Sequence, residues 1–322
     1  MMHELCVEFQ NDKGNILRGI LHRGTAENYK RVSLIFLNTG LNDMVGWHRL
    51  QLKVARHFAL EGYNVLRFDN FGIGDSDGEI EEGEVSGIMT QIEQGLWAND
   101  AIAALEFMME NFKNEKYLFM GFCGGALNAI HAAAREKRVH GIINVAAPIA
   151  LSAKIEQEQL NPYHSKKSVE SYKKKILNRR SMLNFATGKS EYRVVLKSIY
   201  SYLKHKFSGF YSSPESAIEI PESKVNLNRS LFVSFEKFMK SKRPILFYYP
   251  EFDNSTWELK NYFMPRYRET EFWKKYCSFM ELEGANHIFA EDESQRRIKI
   301  DVLDWLEKIG SKDIVSLSFK NN

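Results

Sequence analysis

Cysteine is scarce in this chain. There are three in 322 residues: Cys6, Cys123 and Cys277. So few, so widely scattered, exclude a disulfide framework or a four-ligand zinc centre. A reduced, cytoplasmic compartment is expected. Proline is also sparse, at 7, and glycine is ordinary, at 20, which excludes collagen-like and low-complexity organisation. No apolar run approaches the ~18 residues of a membrane helix, so no membrane span is expected. The first residues carry Glu4 and Glu8 where a secretory leader would be basic and then apolar, so no leader is expected. H-E-x-x-H and C-x-x-C are both missing, and no metal site is expected. Gly72-Ile73-Gly74 starts a dinucleotide-like fingerprint. Its third glycine would fall at position 77, which is Asp, among acids that would repel a pyrophosphate. No cofactor is expected.

What is present is globular composition: 44% hydrophobic and 26% charged residues. The charge is uneven. Residues 151–240 hold 17 Lys and Arg against 8 Asp and Glu in a chain whose total is only +3, so the remainder is net acidic. Such a segment is either a solvated helical face or a surface that steers an anionic partner. It contains no nucleic-acid-reading module, and no nucleic-acid partner is expected.

The pattern along the chain is that of an α/β protein. Glu4–Gln10 and Ile16–His22 read as a hairpin around Asn11–Gly14, and VSLIFL at Val32–Leu37 as a strand buried on both faces. A helix is predicted over Trp47–Leu60, a strand over Tyr63–Phe68, and one long helix carrying Ile92, Leu96, Ile102, Leu105 and Met108. Strand, helix and strand follow at Tyr117–Met120, Ala126–Lys137 and His140–Ala146. The alternation stops near Pro148 and resumes at Pro244–Tyr249, Tyr276–Leu282 and a closing helix, Ala290–Ile309. Alternating strands and helices imply a mainly parallel sheet with helices on both faces. The predicted core is residues 1–150 and 241–322, interrupted by a helical insertion at 151–240.

Three residues in chain order carry the chemistry. Gly121-Phe122-Cys123-Gly124-Gly125 joins the strand YLFM to the small-residue helix ALNAIHAAA. Small neighbours let a nucleophile stand on a strained strand-to-helix turn, and the helix N-terminus offers amide donors and a positive dipole end. Helix N-termini and neighbouring imidazoles favour the thiolate form of a cysteine. The bland alternative is a small buried hydrophobe beside a tight turn. His287, in Gly284-Ala285-Asn286-His287 after the strand CSFMEL, stands where a general base belongs. Asp253 follows the strand PILFYY, where a carboxylate would hold the imidazole tautomer. Glu251 and Glu258 are nearby alternatives for the acid. Gly74-Asp75-Ser76-Asp77-Gly78 also spells G-x-S-x-G, but the acidic EIEEGE follows it, and it reads as a structural turn. His131 reads as a packed helix residue, and His48 as a possible substrate contact near the loop after the third strand.

With these pieces (LIFLNTG, LRFDNFGIGDSDG, GFCGG, YPEFD and GANH) the chain resembles the α/β-hydrolase superfamily over nearly its whole length. That resemblance implies an α/β-hydrolase fold with an eight-stranded sheet and a lid inserted after the sixth strand. Asn38-Thr39-Gly40 stands where many members have a His-Gly pair, which implies an oxyanion hole formed by the amides of Leu41 and Gly124. Cys123 replaces the usual Ser, as in dienelactone hydrolases and some thioesterases, and GFCGGA is similar to the elbow of exosortase-system hydrolases.

The expected function is acyl transfer through a Cys123–His287–Asp253 triad and a covalent acyl-enzyme, on a small-molecule ester or thioester. The basic insertion suggests an acyl group carried on coenzyme A or an acyl carrier protein. An acyltransferase, a lyase or cyclase on the same fold, and a non-catalytic binding protein remain the alternatives.

Overall fold

The two opening apolar-alternating segments pair as predicted. Strand β1 (His3–Gln10) and strand β2 (Ile16–Arg23) run antiparallel, in register from His3↔Arg23 to Gln10↔Ile16. Asn11 closes their turn, its Oδ1 accepting from the Lys13 and Asn15 amides. The structure is a computed structural model, which describes residues 3–80, 85–113, 115–151 and 226–310.

The continuous apolar runs become the central strands. These are β3 (Val32–Leu37), β4 (Asn64–Phe68), β5 (Lys116–Phe122), β6 (Val139–Val145), β7 (Ile245–Phe252) and β8 (Cys277–Asn286). With β1 and β2 they form one eight-stranded sheet in the order β1-β2-β4-β3-β5-β6-β7-β8. Only the β1–β2 and β2–β4 pairings are antiparallel; every later pairing is parallel.

Helices cover both faces. In chain order the longer ones are α1 (Leu50–Leu60), α2 (Val85–Glu93), α3 (Ala98–Asn111), α4 (Gly124–Arg135) and α5 (Arg229–Met239). Three short ones follow, α6 (Asn254–Glu258), α7 (Met264–Tyr267) and α8 (Glu271–Tyr276), before the closing helix α9 (Asp292–Gly310). On one face, Val54 and Phe58 of α1 and Val302 and Trp305 of α9 share a buried cluster with Phe36, Met120, Val145 and Tyr248 of the strands. Each large side chain buried in this way contributes roughly 1.5–3 kcal/mol. Elsewhere α4 packs against α3 and α5. Phe235 of α5 lies with its ring centroid 4.8 Å from Phe263 and 4.9 Å from Tyr267.

Three expectations need correction. The helix predicted over Trp47–Leu60 is regular only from Leu50. Gly46, His48 and Arg49 take φ of +72°, +50° and +61°, so Trp47–Arg49 forms a single tight turn ahead of it. The long helix predicted around Ile92–Met108 is two helices, α2 and α3, broken at Gly95 with φ +96°. A Cβ there would stand 2.9 Å from the His131 ring. Asn128 of α4 spans the break, donating to the Ile92 carbonyl at 3.1 Å and accepting from the Trp97 amide at 2.9 Å. Lastly, the insertion predicted at 151–240 falls largely on residues 152–225, which lie outside the described residues. Its final part is core, because α5 buries Leu231, Phe235 and Phe238.

Candidate active site

The strand β5 to helix α4 junction is built by what its neighbours lack. A Cβ on Gly121 would lie 2.3 Å from the Gly125 carbonyl oxygen, and one on Gly125 would lie 2.3 Å from the Asn38 carbonyl oxygen. Without those side chains the chain turns sharply between strand and helix. Cys123 at the corner takes φ +51° and ψ −116°, a conformation that costs a non-glycine residue on the order of 1–3 kcal/mol. Its amide is anchored to the Val145 carbonyl at 2.8 Å. Its side chain is half-buried, at the N-terminal end of α4.

His287 lies immediately beyond β8, and Asp253 immediately beyond β7. The His287 Nδ1 donates to Asp253 Oδ2 at 2.5 Å, with side-chain exposures of 32% and 8%. The ring and Cys123 line the same small cavity. Burial opposes the charged ring. The hydrogen bond to Asp253 and its negative charge, with Cys123 beside the ring, outweigh that and push its pKa up to about 10 from the ordinary 6.5. The structure thus brings Cys123, His287 and Asp253 together. Of the alternative acids, Glu251 accepts from the Gly284 amide at 2.8 Å. Glu258 accepts from the Ile149 and Ala150 amides at 2.8 and 3.0 Å, and burial pushes its pKa up to about 7.

The loop after β3 lies against the start of α4. From a Cβ placed on Gly124, the Gly40 N and Cα are each 3.4 Å away. Among the described residues, no backbone hydrogen bond engages the Leu41 or Gly124 amide. A buried carboxylate fixes this loop: Asp69 Oδ1 accepts from the Asn38 side chain at 3.1 Å and the Met44 amide at 2.6 Å, and Oδ2 from the Asp75 amide at 3.2 Å. Burial raises the Asp69 pKa against the pull of these donors.

The remaining sequence candidates sit apart from this centre. Ser76 is structural: its hydroxyl donates to the Asp69 carbonyl at 2.6 Å and accepts from the Arg18 amide at 2.9 Å. His131 is buried between the Glu93 carbonyl and the Ser234 hydroxyl. His48 is exposed. Among the described residues, no three His, Cys, Asp or Glu side chains cluster so as to hold a metal ion, and no helix is long and apolar enough to cross a membrane.

Sequence reasoning missed several neighbours. Ser255 donates its hydroxyl to Asp253 Oδ2 at 2.8 Å, while Asp253 Oδ1 caps α6 by accepting the Ser255 amide at 3.2 Å. The Asp-Asn-Ser run was a legible helix-start signal. Trp47 packs against the His287 ring with centroids 5.4 Å apart. Thr39 and Gln51 line the same cavity as Cys123 and His287. Nothing in the sequence pattern joined those two, because the strained turn at Gly46–Arg49 is what brings them together.

A mostly parallel eight-stranded sheet with a strained strand-to-helix corner at Cys123, and an acid and a histidine after the last two strands, is the α/β-hydrolase fold. Comparison with known proteins agrees. Residues 32–169 match the family model for the alpha/beta hydrolase fold. Over 151 residues the chain is 33% identical to polyketide transferase af380 of Aspergillus fumigatus, a match spanning 46% of this chain and about half, 47%, of that protein. The solved α/β hydrolase GrgF from Penicillium sp. sh18 is similar at a TM-score of 0.56 and 21% identity, over 96% of this chain and 100% of that one. Est1E from Butyrivibrio proteoclasticus, solved with ferulic acid bound, is similar at a TM-score of 0.56 and 16% identity, over 95% and 100%.

Proposed function

We infer that this protein is an acyl-transfer enzyme that works through a covalent thioester on Cys123. The observation that carries the reading is the His287–Asp253 hydrogen bond beside Cys123, which lines the same cavity as the ring and stands on a strained elbow at a helix N-terminus. Cys123 Sγ, its proton already held on the His287 ring, attacks the carbonyl carbon of an ester or thioester. The carbonyl oxygen becomes an oxyanion facing the Leu41 and Gly124 amides, each such donor contributing on the order of 3 kcal/mol in the transition state. Collapse expels the alcohol or thiol, which takes the proton from His287, and leaves the acyl group on sulfur. Asp253 holds the imidazole tautomer and stabilises the imidazolium.

The acyl-enzyme then passes its acyl group to water or to another acceptor. Hydrolysis is the first reading. Transfer to an alcohol or amine is the second, supported by the partial likeness to a polyketide transferase and by the ease with which a thioester acylates such acceptors. The basic stretch at 151–240 supports a substrate carried on coenzyme A or an acyl carrier protein. The reducing compartment inferred from the free cysteines suits a reactive thiol.

The test is a panel of oxygen esters, acyl-coenzyme A thioesters and acyl carrier thioesters, assayed with the wild type and with Cys123→Ala. The reading expects turnover of at least one class, lost by 10³-fold or more (an order-of-magnitude expectation for losing the nucleophile) in the variant. Undiminished turnover in Cys123→Ala would leave the lyase reading. No turnover of any class would leave the binding-protein reading.

A further inference from the structure

The turn ahead of α1 carries strain that its own side chains do not offset. His48 and Arg49 take φ of +50° and +61° in succession, a left-handed conformation that residues with a Cβ visit rarely and singly. Both side chains are exposed, so neither is stabilised by burial. The backbone around them is nevertheless held. The Arg67 guanidinium donates to the Met44 carbonyl at 2.7 Å, the Gly46 amide to the Asp43 carbonyl at 3.2 Å, and the Arg49 amide to the Gly46 carbonyl at 3.0 Å. Strain imposed by its surroundings in this way points to something that the strained segment positions. Here that is Trp47. Its indole lies against the His287 ring, with centroids 5.4 Å apart and planes tilted by 59°, and it walls the cavity beside Cys123.

An aliphatic wall at this place would strip water from the imidazole, which disfavours its charged form, and return nothing. An indole strips the same water but offers a cation within about 6 Å of its centroid the negative face of its π system. Among the described residues, the titratable groups that face the ring are Asp253, just beyond β7, and Cys123, at the elbow, and both favour the imidazolium. The nature of the nucleophile makes this support matter in the resting enzyme. A serine elbow needs the imidazolium only once reaction begins, whereas a thiolate stands beside it before substrate arrives. We propose that Trp47 is a positioning residue for the acyl-transfer reaction: its indole, set against the His287 ring by the turn at Gly46–Arg49, keeps that ring charged and so keeps Cys123 in its thiolate form. The proposal rests on the acyl-enzyme reading above. No bond forms or breaks at Trp47. Its effect is on where one proton resides: on His287 when the indole is present, and drawn back toward Cys123 Sγ when it is not.

The experiment uses the full chain and follows two readouts across pH: iodoacetamide alkylation of the peptide containing Cys123, and kcat/KM for p-nitrophenyl butyrate. In Trp47→Leu the midpoint of thiolate formation is expected to rise by about half to one pH unit, and the NMR midpoint of the His287 ring to fall by a similar amount. On the acid limb of the profile kcat/KM is then about three- to tenfold lower, and on the plateau it stays within about twofold of wild type. Trp47→Phe, which keeps an aromatic face, is expected to restore most of the shift. Each variant's Tm is recorded as a check on folding. If Trp47→Leu folds poorly, fluorinated tryptophan at all five tryptophan positions keeps the shape and weakens the π face, and it is expected to move both midpoints in the same directions. Midpoints unmoved in folded protein overturn the proposal. So does a fall in kcat/KM that is equal at every pH, which would mark Trp47 as a cavity wall only, and so does a shift in Trp47→Phe as large as that in Trp47→Leu. If Cys123→Ala retains turnover, the acyl-enzyme reading has failed, and this proposal falls with it. Turnover that depends on Cys123, with midpoints that Trp47→Leu does not move, refutes the role of Trp47 alone.

Discussion

Asp253→Asn keeps the side chain's shape and removes its charge, so it isolates what the carboxylate does for His287. The His287 pKa is pushed up to about 10 against an ordinary 6.5, a preference for the charged ring of about 5 kcal/mol at roughly 1.4 kcal/mol per unit. The ring is 32% exposed, and solvent screening reduces that to ~2–3 kcal/mol. Asp253 shares the effect with Cys123, so removing its charge is expected to lower the His287 pKa by at least about one unit. The linked stability has a definite sign. A histidine whose pKa is raised on folding contributes fully below pH 6.5, and that contribution is lost as pH rises through about 10. Wild type therefore loses stability between pH 7 and 10, and Asp253→Asn loses less over that range. The variant amide can also donate to the ring and so select the wrong tautomer, for which a loss of about 10³–10⁴ in turnover is expected. The assays are an NMR titration of the His287 ring, urea unfolding at pH 7 and 9.5, and ester turnover. An unmoved ring titration with turnover within tenfold of wild type would refute this role for Asp253.

Further outcomes follow from other parts of the site. Ser255→Ala removes the 2.8 Å bond to Asp253 Oδ2; an effect of about 1 kcal/mol is expected, seen as a several-fold fall in acylation with KM little changed. Gly125→Ala places a Cβ against the Asn38 and Leu37 carbonyls, at 2.3 and 2.4 Å. Backbone cannot swing away, so a loss of about 3 kcal/mol in urea unfolding is expected, and a wild-type midpoint would contradict the elbow packing. Iodoacetamide should label Cys123 faster than exposed Cys6 and buried Cys277, and His287→Ala should slow that labelling. If the basic stretch steers a carrier, added salt should lower kcat/KM for an acyl-carrier thioester and leave a neutral ester nearly unaffected. Equal salt dependence would remove the carrier from the account.

The fold was legible where a single physical cause sets the pattern. β3 was found at its observed bounds, Val32–Leu37, because a strand buried on both faces needs an unbroken apolar run. The elbow was legible because its glycines answer to steric limits that act within five residues. What escaped was long-range. The break at Gly95 depends on the His131 ring and Asn128, both contributed by α4, and helical periodicity runs through the break without a mark. The turn ahead of α1 escaped because His48 and Arg49 carry no preference for the positive φ they adopt. The Thr39–Gln51 pair is joined only once that turn folds back on the loop after β3. Residues 226–240 read as insertion because their Lys and Phe content continues that of the preceding segment. In α5 the aromatic side is nevertheless the buried one.

The central claim is that Cys123 carries the acyl group. The direct measurement is the intact mass of protein quenched within the first turnover of an acyl thioester, followed by peptide mapping. The account predicts one acyl increment, on the peptide containing Cys123, absent in Cys123→Ala and discharged by added hydroxylamine. Turnover with no acyl increment, or an increment mapped to another residue, would contradict it.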